Sequence, residues 1–286
     1  MTCQVCGSVT ESFLTAHDYR LNTSTESWSV RKCVSCGHGR TIFQADRDFR
    51  GDYPESFYPK IKKVIRNPHG RLLERLLREK KINNVLDYGC GSGELIRYLS
   101  SRGFWVEGYD PYYKKRSSDE NVLIHGDTEA LVNKKFQAIM LMHVLEHEPD
   151  PRVLLESLKR LLADDGIIIV EVPNFESFQQ DLLGAIHLHL DLPRHVHHFT
   201  RTSLLRQFDD VGLEVVSEKR LFPFLFPLAI PRSISNYLRF KGKLYLAALS
   251  KTLLFPLFPL YVFLNLISSS SKDKAQVLFF CLKNKE

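Results

Sequence analysis

From residue 82 onward, apolar runs of strand length alternate with amphipathic stretches of helical length, and this alternation constrains the fold more than any other feature. VLDYG, FWVEGYD, NVLIHGD, FQAIMLMHV and IIIVEVP read as strands, whereas GELIRYLSSRG and PRVLLESLKRLLADDG read as helices. Strands that are apolar throughout need cover on both faces, so the pattern predicts a doubly wound, mostly parallel α/β sheet of Rossmann-like type. In such sheets ligands bind at the carboxyl ends of the strands. The first strand of the series runs into VLDYGCGSGEL, where Gly89, Gly91 and Gly93 stand at alternate positions just ahead of a helix. A loop without side chains lets backbone approach a ligand, and the next helix presents unpaired N–H groups. Asp110 ends the second strand, where a carboxylate can accept from both hydroxyls of a ribose. The expected ligand therefore contains a nucleoside. The spacing is G-x-G-x-G with Asp87 two residues ahead, which departs from the G-x-G-x-x-G of dinucleotide sites.

Two matching knuckles precede this region, CQVCG with Cys3 and Cys6 and CVSCG with Cys33 and Cys36, separated by 26 residues. A two-residue gap lets both sulfurs of one turn reach a single ion, and the glycine after each pair permits the tight turn. The pattern points to structural zinc in a small ribbon, rather than to a dithiol redox pair or unpaired thiols, with His38 as a bystander. The polar stretch between the knuckles cannot build a core without metal. With no basic region leading into an apolar stretch at the start of the sequence, six cysteines are expected as thiols or metal ligands in a reducing, cytoplasmic compartment. Between the ribbon and the glycine loop, Asn67 and Pro68 look like a helix cap and first-turn residue. Leu72, Leu73, Leu76 and Leu77 then share one face of a helix.

Taken together, these motifs resemble the class I S-adenosylmethionine-dependent methyltransferases, and in particular the subgroup that includes ubiquinone-biosynthesis O-methyltransferases. VLDYGCGSG is similar to the family's first motif, HGDTEAL at 125–131 to its third acidic loop, MHVLEHEPDP at 142–151 to the segment after its fourth strand, and GIIIVEVPN at 166–174 to its fifth strand. DLPRHVHHFTRTSLLRQFDDVGLEVV resembles the closing segment of the subgroup, and QVLFFCLK its last strand. The resemblance implies that Gly89, Gly91 and Gly93 flank the methionine part of the cofactor, with Asp87 helping to bind its ammonium. It implies that Asp110 holds the ribose, Asp127 and Thr128 lie near the adenine, and His143 lies near the transferable methyl. The resulting division is a zinc ribbon at 1–50, a linker and amphipathic helix at 51–81, the methyltransferase core at 82–220, an apolar and basic segment at 221–272, and the last strand and tail at 273–286.

Methyl transfer to a hydroxyl or an acidic carbon calls for a base with a pKa near neutrality, and histidine is the natural choice. The 11 histidines concentrate at His143 and His147 and in HLHLDLPRHVHHF, at His187, His189, His195, His197 and His198. His195 is the first candidate base and His147 the second. Packing the loop, capping the helix near Thr200 or forming a second metal site are alternatives, but no cysteine or carboxylate pattern in the sequence completes a metal site.

Farther on, LFPFLFPLAIP and LLFPLFPLYVFLNLI are strongly apolar, and no charge occurs from Thr252 to Ser271. Pro256 and Pro259 break any simple span. Arg232, Arg239, Lys241, Lys243 and Lys251 lie between the apolar runs, as expected for a segment at 221–267 resting peripherally on an anionic membrane face. A lid or a dimer face is the competing reading. The acceptor is read as a small molecule, a sugar or a lipid-linked glycan, because a zinc ribbon ahead of this domain resembles sugar C-methyltransferases. The sequence is read as departing from those enzymes in their additional C-terminal domain, an expectation that weighs against carbon methylation and leaves oxygen methylation open. A net charge of +6 with little interleaving of basic and aromatic residues argues against the alternative of an RNA methyltransferase. Intact Gly89, Gly91, Gly93 and Asp110 argue against a non-catalytic scaffold.

Overall fold

The structure is a computed structural model that describes residues 1–43, 63–113, 123–219, 229–253 and 271–285, together with Pro256, Pro259 and Phe263. The two apolar runs expected at a membrane lie largely outside the described residues. The N-terminal ribbon is antiparallel: β1 (Thr10–His17) pairs with β2 (Ser27–Cys33), which pairs with β3 (Gly39–Ile42). After it come α1 (Lys63–Glu79), β4 (Asn84–Tyr88), α2 (Glu94–Ser100), β5 (Trp105–Tyr109), β6 (Leu123–His125) and β7 (Phe136–Met142). The chain continues through α3 (Pro151–Lys159), β8 (Leu162–Pro173), α4 (Phe178–Leu183), β9 (His197–His198), α5 (Arg201–Asp210) and β10 (Leu213–Lys219). It ends with α6 (Ala229–Phe240), α7 (Leu244–Leu253) and β11 (Val277–Asn284).

Seven strands form the main sheet in the order β10-β11-β8-β7-β4-β5-β6. The contiguous block from β8 to β6 is parallel, and β11 runs antiparallel to both of its neighbours. From β4 the winding proceeds one way to β5 and β6 and the other way to β7 and β8, so the crevice for a ligand opens at the carboxyl end of β4. Strand alternation divides the core between the faces. Ile139, Leu141, Ile168 and Val170 pack with Leu154, Leu155 and Leu158 of α3 and with Leu204 and Phe208 of α5. Ala138, Met140, Ile167 and Ile169 pack with Leu73, Leu76 and Leu77 of α1 and with Ile96 and Leu99 of α2.

Two element boundaries differ from the sequence reading. The first helix begins at Lys63, ahead of the Asn67–Pro68 pair expected to cap it, and runs through the proline. The helix expected through Asp165 stops at Lys159, and Leu162 already pairs with Phe136 as strand. Asp164, Asp165 and Gly166 are poor helix formers. Gly166 also sits where a Cβ would lie 2.9 Å from the Ala163 carbonyl oxygen and 3.0 Å from that of Phe136, so a larger residue there would force the backbone to shift.

The ribbon sheet has a fourth strand, β9, which pairs with β3 through Gly39–His198 and Arg40–His197. The histidine segment that follows the main sheet thus closes the ribbon. Helix α6 spans the same seam, with Tyr237 and Phe240 packed on Tyr19 and with the Ser233 hydroxyl accepting from the Leu188 amide. Among the described residues, no helix is long and apolar enough to cross a membrane.

Candidate functional site

The loop after β4 adopts a backbone that only glycine tolerates easily, with Gly89, Gly91 and Gly93 at φ 76°, 54° and 72°. A Cβ on Gly89 would lie 2.5 Å from Val144 and one on Gly93 2.6 Å from Ile124, so close packing reinforces the conformational demand. The loop is fastened to the end of β5. Gly89 and Cys90 both donate to the Tyr109 carbonyl, Gly91 donates to Asp110 Oδ2 at 2.8 Å, and Tyr112 donates to Asp110 Oδ1 at 2.9 Å. Asp110 is buried, and that burial pushes its carboxyl up from the usual carboxylate range while the two amide bonds oppose the shift. Asp87 is buried on β4 beside the loop. Burial and the charges of Asp87 and Asp110 push the Cys90 thiol up, so it stays protonated at neutral pH.

Asp127 and Thr128 are exposed beyond the end of β6, where Asp127 Oδ1 accepts from the Ala130 amide at 3.1 Å and closes a turn. His143 follows β7 in the left-handed region at φ 58°, and its amide donates to the Glu171 carbonyl. Its ring lies between two carboxylates, with Nδ1 3.3 Å from Glu146 Oε1 and Nε2 3.0 Å from Glu171 Oε1. Burial opposes the imidazolium, but the hydrogen bonds and charges of Glu146 and Glu171 prevail and raise the pKa to about 10. Glu171 is fully buried, which opposes its ionisation, yet His69 and His143 hold its pKa at about 2. His69 reaches Glu171 Oε2 from α1 at 2.9 Å. Sequence reasoning singled out neither Glu171 nor His69. The signal for Glu171 was present, since an acid amid the apolar residues of IIIVEVP is costly unless it has a partner.

The segment between α4 and β9 is anchored by a buried ion cluster. Arg194 is fully buried and donates to Asp18 Oδ1 at 2.5 Å and to Asp191 Oδ1 at 2.7 Å, while Arg20 pairs with Asp191 from the ribbon side. His195 is thereby held with Nδ1 2.9 Å from the His189 carbonyl and Nε2 3.8 Å from Asp191 and 3.9 Å from Glu146. His147 lies edge to face with it at 4.6 Å, its Nδ1 3.0 Å from the Arg194 carbonyl. Burial lowers both imidazoles from the ordinary histidine value, so both are neutral at pH 7. A small cavity of about 10 Å³, room for about one water, opens here, lined by Glu146, His187, His189, His195, His197 and His198 among others. Burial likewise holds His187 and His198 near about 3. The structure thus gathers His143, His147 and His195 within one loop cluster, with Val144 packed on Gly89 and Glu146 on the cavity wall.

The four knuckle cysteines also converge. Cys3 Sγ lies 3.7 Å from Cys36 Sγ, Cys6 Sγ lies 3.4 Å from Cys33 Sγ, and a sulfur from each falls within 4.8 Å of the others. The Val5 amide points at the Cys3 sulfur, and the Ser35 and Cys36 amides at the Cys33 sulfur, an arrangement that suits thiolates around an ion. Gly7 and Gly37, at φ 72° and 71°, make the two turns. His38 stands apart, 3.0 Å from His197. The donor set fits a tetrahedral zinc ion.

A ubiquinone biosynthesis O-methyltransferase of Haemophilus ducreyi is 28% identical over 152 residues, covering 46% of this chain and 64% of that protein. One of Dinoroseobacter shibae is 30% identical over 152 residues, covering 47% and 61%. The chain thus spans under two thirds of the length of these relatives. The fold is similar to that of the Burkholderia thailandensis 1,6-didemethyltoxoflavin-N1-methyltransferase, with a TM-score of 0.51 at 14% identity over 88% of this chain and 98% of that one. The family described as Methyltransferase domain matches residues 61–218, more than half of the sequence, and the chain belongs to that family.

Proposed function

We propose that this protein transfers a methyl group from S-adenosylmethionine to a hydroxyl of a small-molecule, sugar or lipid-linked glycan acceptor. The reading is carried by one observation: the left-handed glycine loop is fastened to Asp110 at the same strand ends as the histidine-lined cavity. The residues present fit the cofactor. Each Asp110 oxygen uses one lone pair on a backbone amide and keeps another for a ribose hydroxyl. Asp87 and the three glycines would hold the methionine part, His143 would lie near the methyl, and Asp127 with Thr128 would border the adenine. Bound there, S-adenosylmethionine would supply an electrophilic methyl on a sulfonium. The chain's own part is to align the acceptor, exclude water and take up the hydroxyl proton.

His195 is the proposed base and His147 its alternate. A ring whose Nδ1 hydrogen is committed to the His189 carbonyl presents Nε2 as its basic nitrogen. The name of the ubiquinone-biosynthesis relatives, O-methyltransferases, supports oxygen as the acceptor atom. The ribbon serves in this reading as a wall of the acceptor site. Its β3 edge is taken up by β9, and Gly39 packs against Phe175 and His198, which leaves less of it for gripping RNA.

The test is transfer of radiolabelled methyl from S-adenosylmethionine into extracts separated into lipid, polysaccharide, RNA and small-molecule fractions, with Asp110→Ala as control. Label in a lipid, polysaccharide or small-molecule fraction that vanishes with the variant is expected. The variant should lose about 1.5 to 3 kcal/mol of cofactor affinity for each charge-assisted hydrogen bond removed. Label in RNA, or cofactor binding untouched by the substitution, would overturn the assignment.

A further inference from the structure

His195 is buried, and the cavity in whose wall it stands has a volume of about 10 Å³, enough for one water molecule but not for an acceptor. His187 stands in the same wall, and a chain of hydrogen bonds fixes its tautomer. The Gln180 side-chain nitrogen donates to the Gly184 carbonyl at 3.1 Å, which leaves Gln180 Oε1 as the group 2.9 Å from His187 Nδ1. An amide oxygen only accepts, so Nδ1 carries the proton and Nε2 a lone pair. That Nε2 is buried and has no hydrogen-bond partner among the described residues. Burial holds the imidazole at about 3, so it stays neutral and Nε2 remains an acceptor. His195 repeats the arrangement. Its Nδ1 is 2.9 Å from the His189 carbonyl, and its Nε2 stands 3.8 Å from Asp191 and 3.9 Å from Glu146, both beyond hydrogen-bond reach. The cavity thus has two imidazoles with lone pairs on Nε2 in its wall and room for one molecule, and water is a molecule of that size that donates twice.

We infer that His187 and His195 hold one water between their Nε2 atoms, and that His195 takes the acceptor's proton through it. The transfer step rests on the methyltransferase reading, whereas the water site does not. The water commits both hydrogens to the two imidazoles and turns its oxygen lone pairs to the acceptor hydroxyl, the one-water reach that general bases use. In the transfer the acceptor O–H bond breaks as its oxygen bonds to the methyl carbon, while the carbon–sulfur bond breaks with its electron pair left on sulfur. The hydroxyl proton passes to the water oxygen, and the water hydrogen facing His195 passes to Nε2. Water is regenerated, and the His195 imidazolium holds the one proton released. His187 touches only the water, which makes it a positioning residue that keeps the water in line between acceptor and base. The methyl ether formed has no proton to donate to that water, so the same arrangement favours its departure.

The first test needs neither variant nor acceptor. In the wild-type chain, nitrogen-15 spectra should show His187 and His195 protonated on Nδ1, and a long-lived water should cross-relax with the ring protons of both. In His187→Leu the water signal at His195 should vanish, while the near-ultraviolet circular dichroism spectrum and S-adenosylmethionine affinity stay as in the wild type. Turnover is read as radiolabelled methyl entering the extract fraction that the wild type labels. It should fall about a hundredfold in this variant, the size of a general-base contribution, with the cofactor KM unchanged. His187→Gln, whose amide oxygen can accept from the water, should recover most of the loss, a rescue that a purely structural role would not produce. No long-lived water at the two rings, a proton on Nε2 of either, or equal turnover in the two variants would overturn the relay. Water at both rings without methyl transfer to any fraction would uphold the water site and remove the methyltransferase reading. Methyl transfer without the water would remove the relay alone.

Discussion

A carboxylate on the central strand of a covered sheet is tolerable only where cations meet it, and Glu171 is met from two sides. His69 approaches Oε2 from α1 and His143 approaches Oε1 from the loop after β7. Their charges hold Glu171 at about 2, well below its ordinary 4.5, despite complete burial. A depressed carboxyl contributes stability that is present above the unfolded value and lost as pH falls from about 4.5 toward about 2. The shift corresponds to roughly 3 kcal/mol. His69→Ala should therefore move the acid limb of the stability curve to higher pH and cost ~1 to 3 kcal/mol at neutral pH, as read by urea unfolding across the acid range. Superimposable curves for variant and wild type would show that His69 does not hold Glu171. At this scale the sequence was half legible. The lone acid in IIIVEVP stood out, but its partner His69 lies about a hundred residues earlier and carries no local signal. The glycine loop was legible because three left-handed positions need three glycines, a demand made by the local backbone alone.

Elements reveal what local patterns miss. The cysteine spacing announced the ribbon, since ligand geometry acts over two residues at a time. No pattern announced that the two-residue strand His197–His198 would pair with β3, because so short a strand has no periodicity. The seam is nonetheless firmly built. Thr41 Oγ1 donates to the His195 carbonyl at 2.7 Å, Thr200 Oγ1 donates to the Cys36 carbonyl at 2.7 Å, and the buried Arg194 bridges Asp18 of the ribbon and Asp191 of the loop. Removing one partner of such a buried pair costs about 3 to 5 kcal/mol, so Arg194→Met should destabilise the whole chain by that order. Zinc loss should be felt across the same seam. Cys33→Ser is expected to lower the bound zinc and to speed amide hydrogen exchange at Thr41, whose N–H donates to the Val196 carbonyl across it. Unchanged zinc content would sink the zinc assignment, and zinc loss with unaltered exchange would show that the ribbon and the histidine segment are mechanically independent.

For the molecule as a whole, the question is what the apolar C-terminal segment faces. Helix α6 uses its aromatic residues against the ribbon, where Phe240 packs on His17 and Tyr19. Helix α7 leaves Leu244 66% exposed and Tyr245 78% exposed, with Lys241 and Lys243 exposed just ahead of it. An apolar edge beside lysines suits an anionic bilayer surface, where each lysine contributes about 1 kcal/mol and each apolar side chain, if buried, roughly 1.5 to 3 kcal/mol. Together the four residues reach about 5 to 8 kcal/mol, which corresponds to dissociation constants from roughly millimolar to micromolar. Such binding is peripheral and reversible, as would suit access to a lipid-linked acceptor. The protein should float with vesicles containing anionic lipid but not with zwitterionic ones, and should be released as salt rises past the Debye screening of the lysines. Leu244→Glu with Tyr245→Glu should abolish flotation while leaving cofactor affinity intact, since α7 packs chiefly on α6 and both side chains are exposed. If anionic vesicles fail to carry the wild-type protein, the exposed edge of α7 instead marks a lid or a protein contact, and the acceptor must come to the cavity from solution.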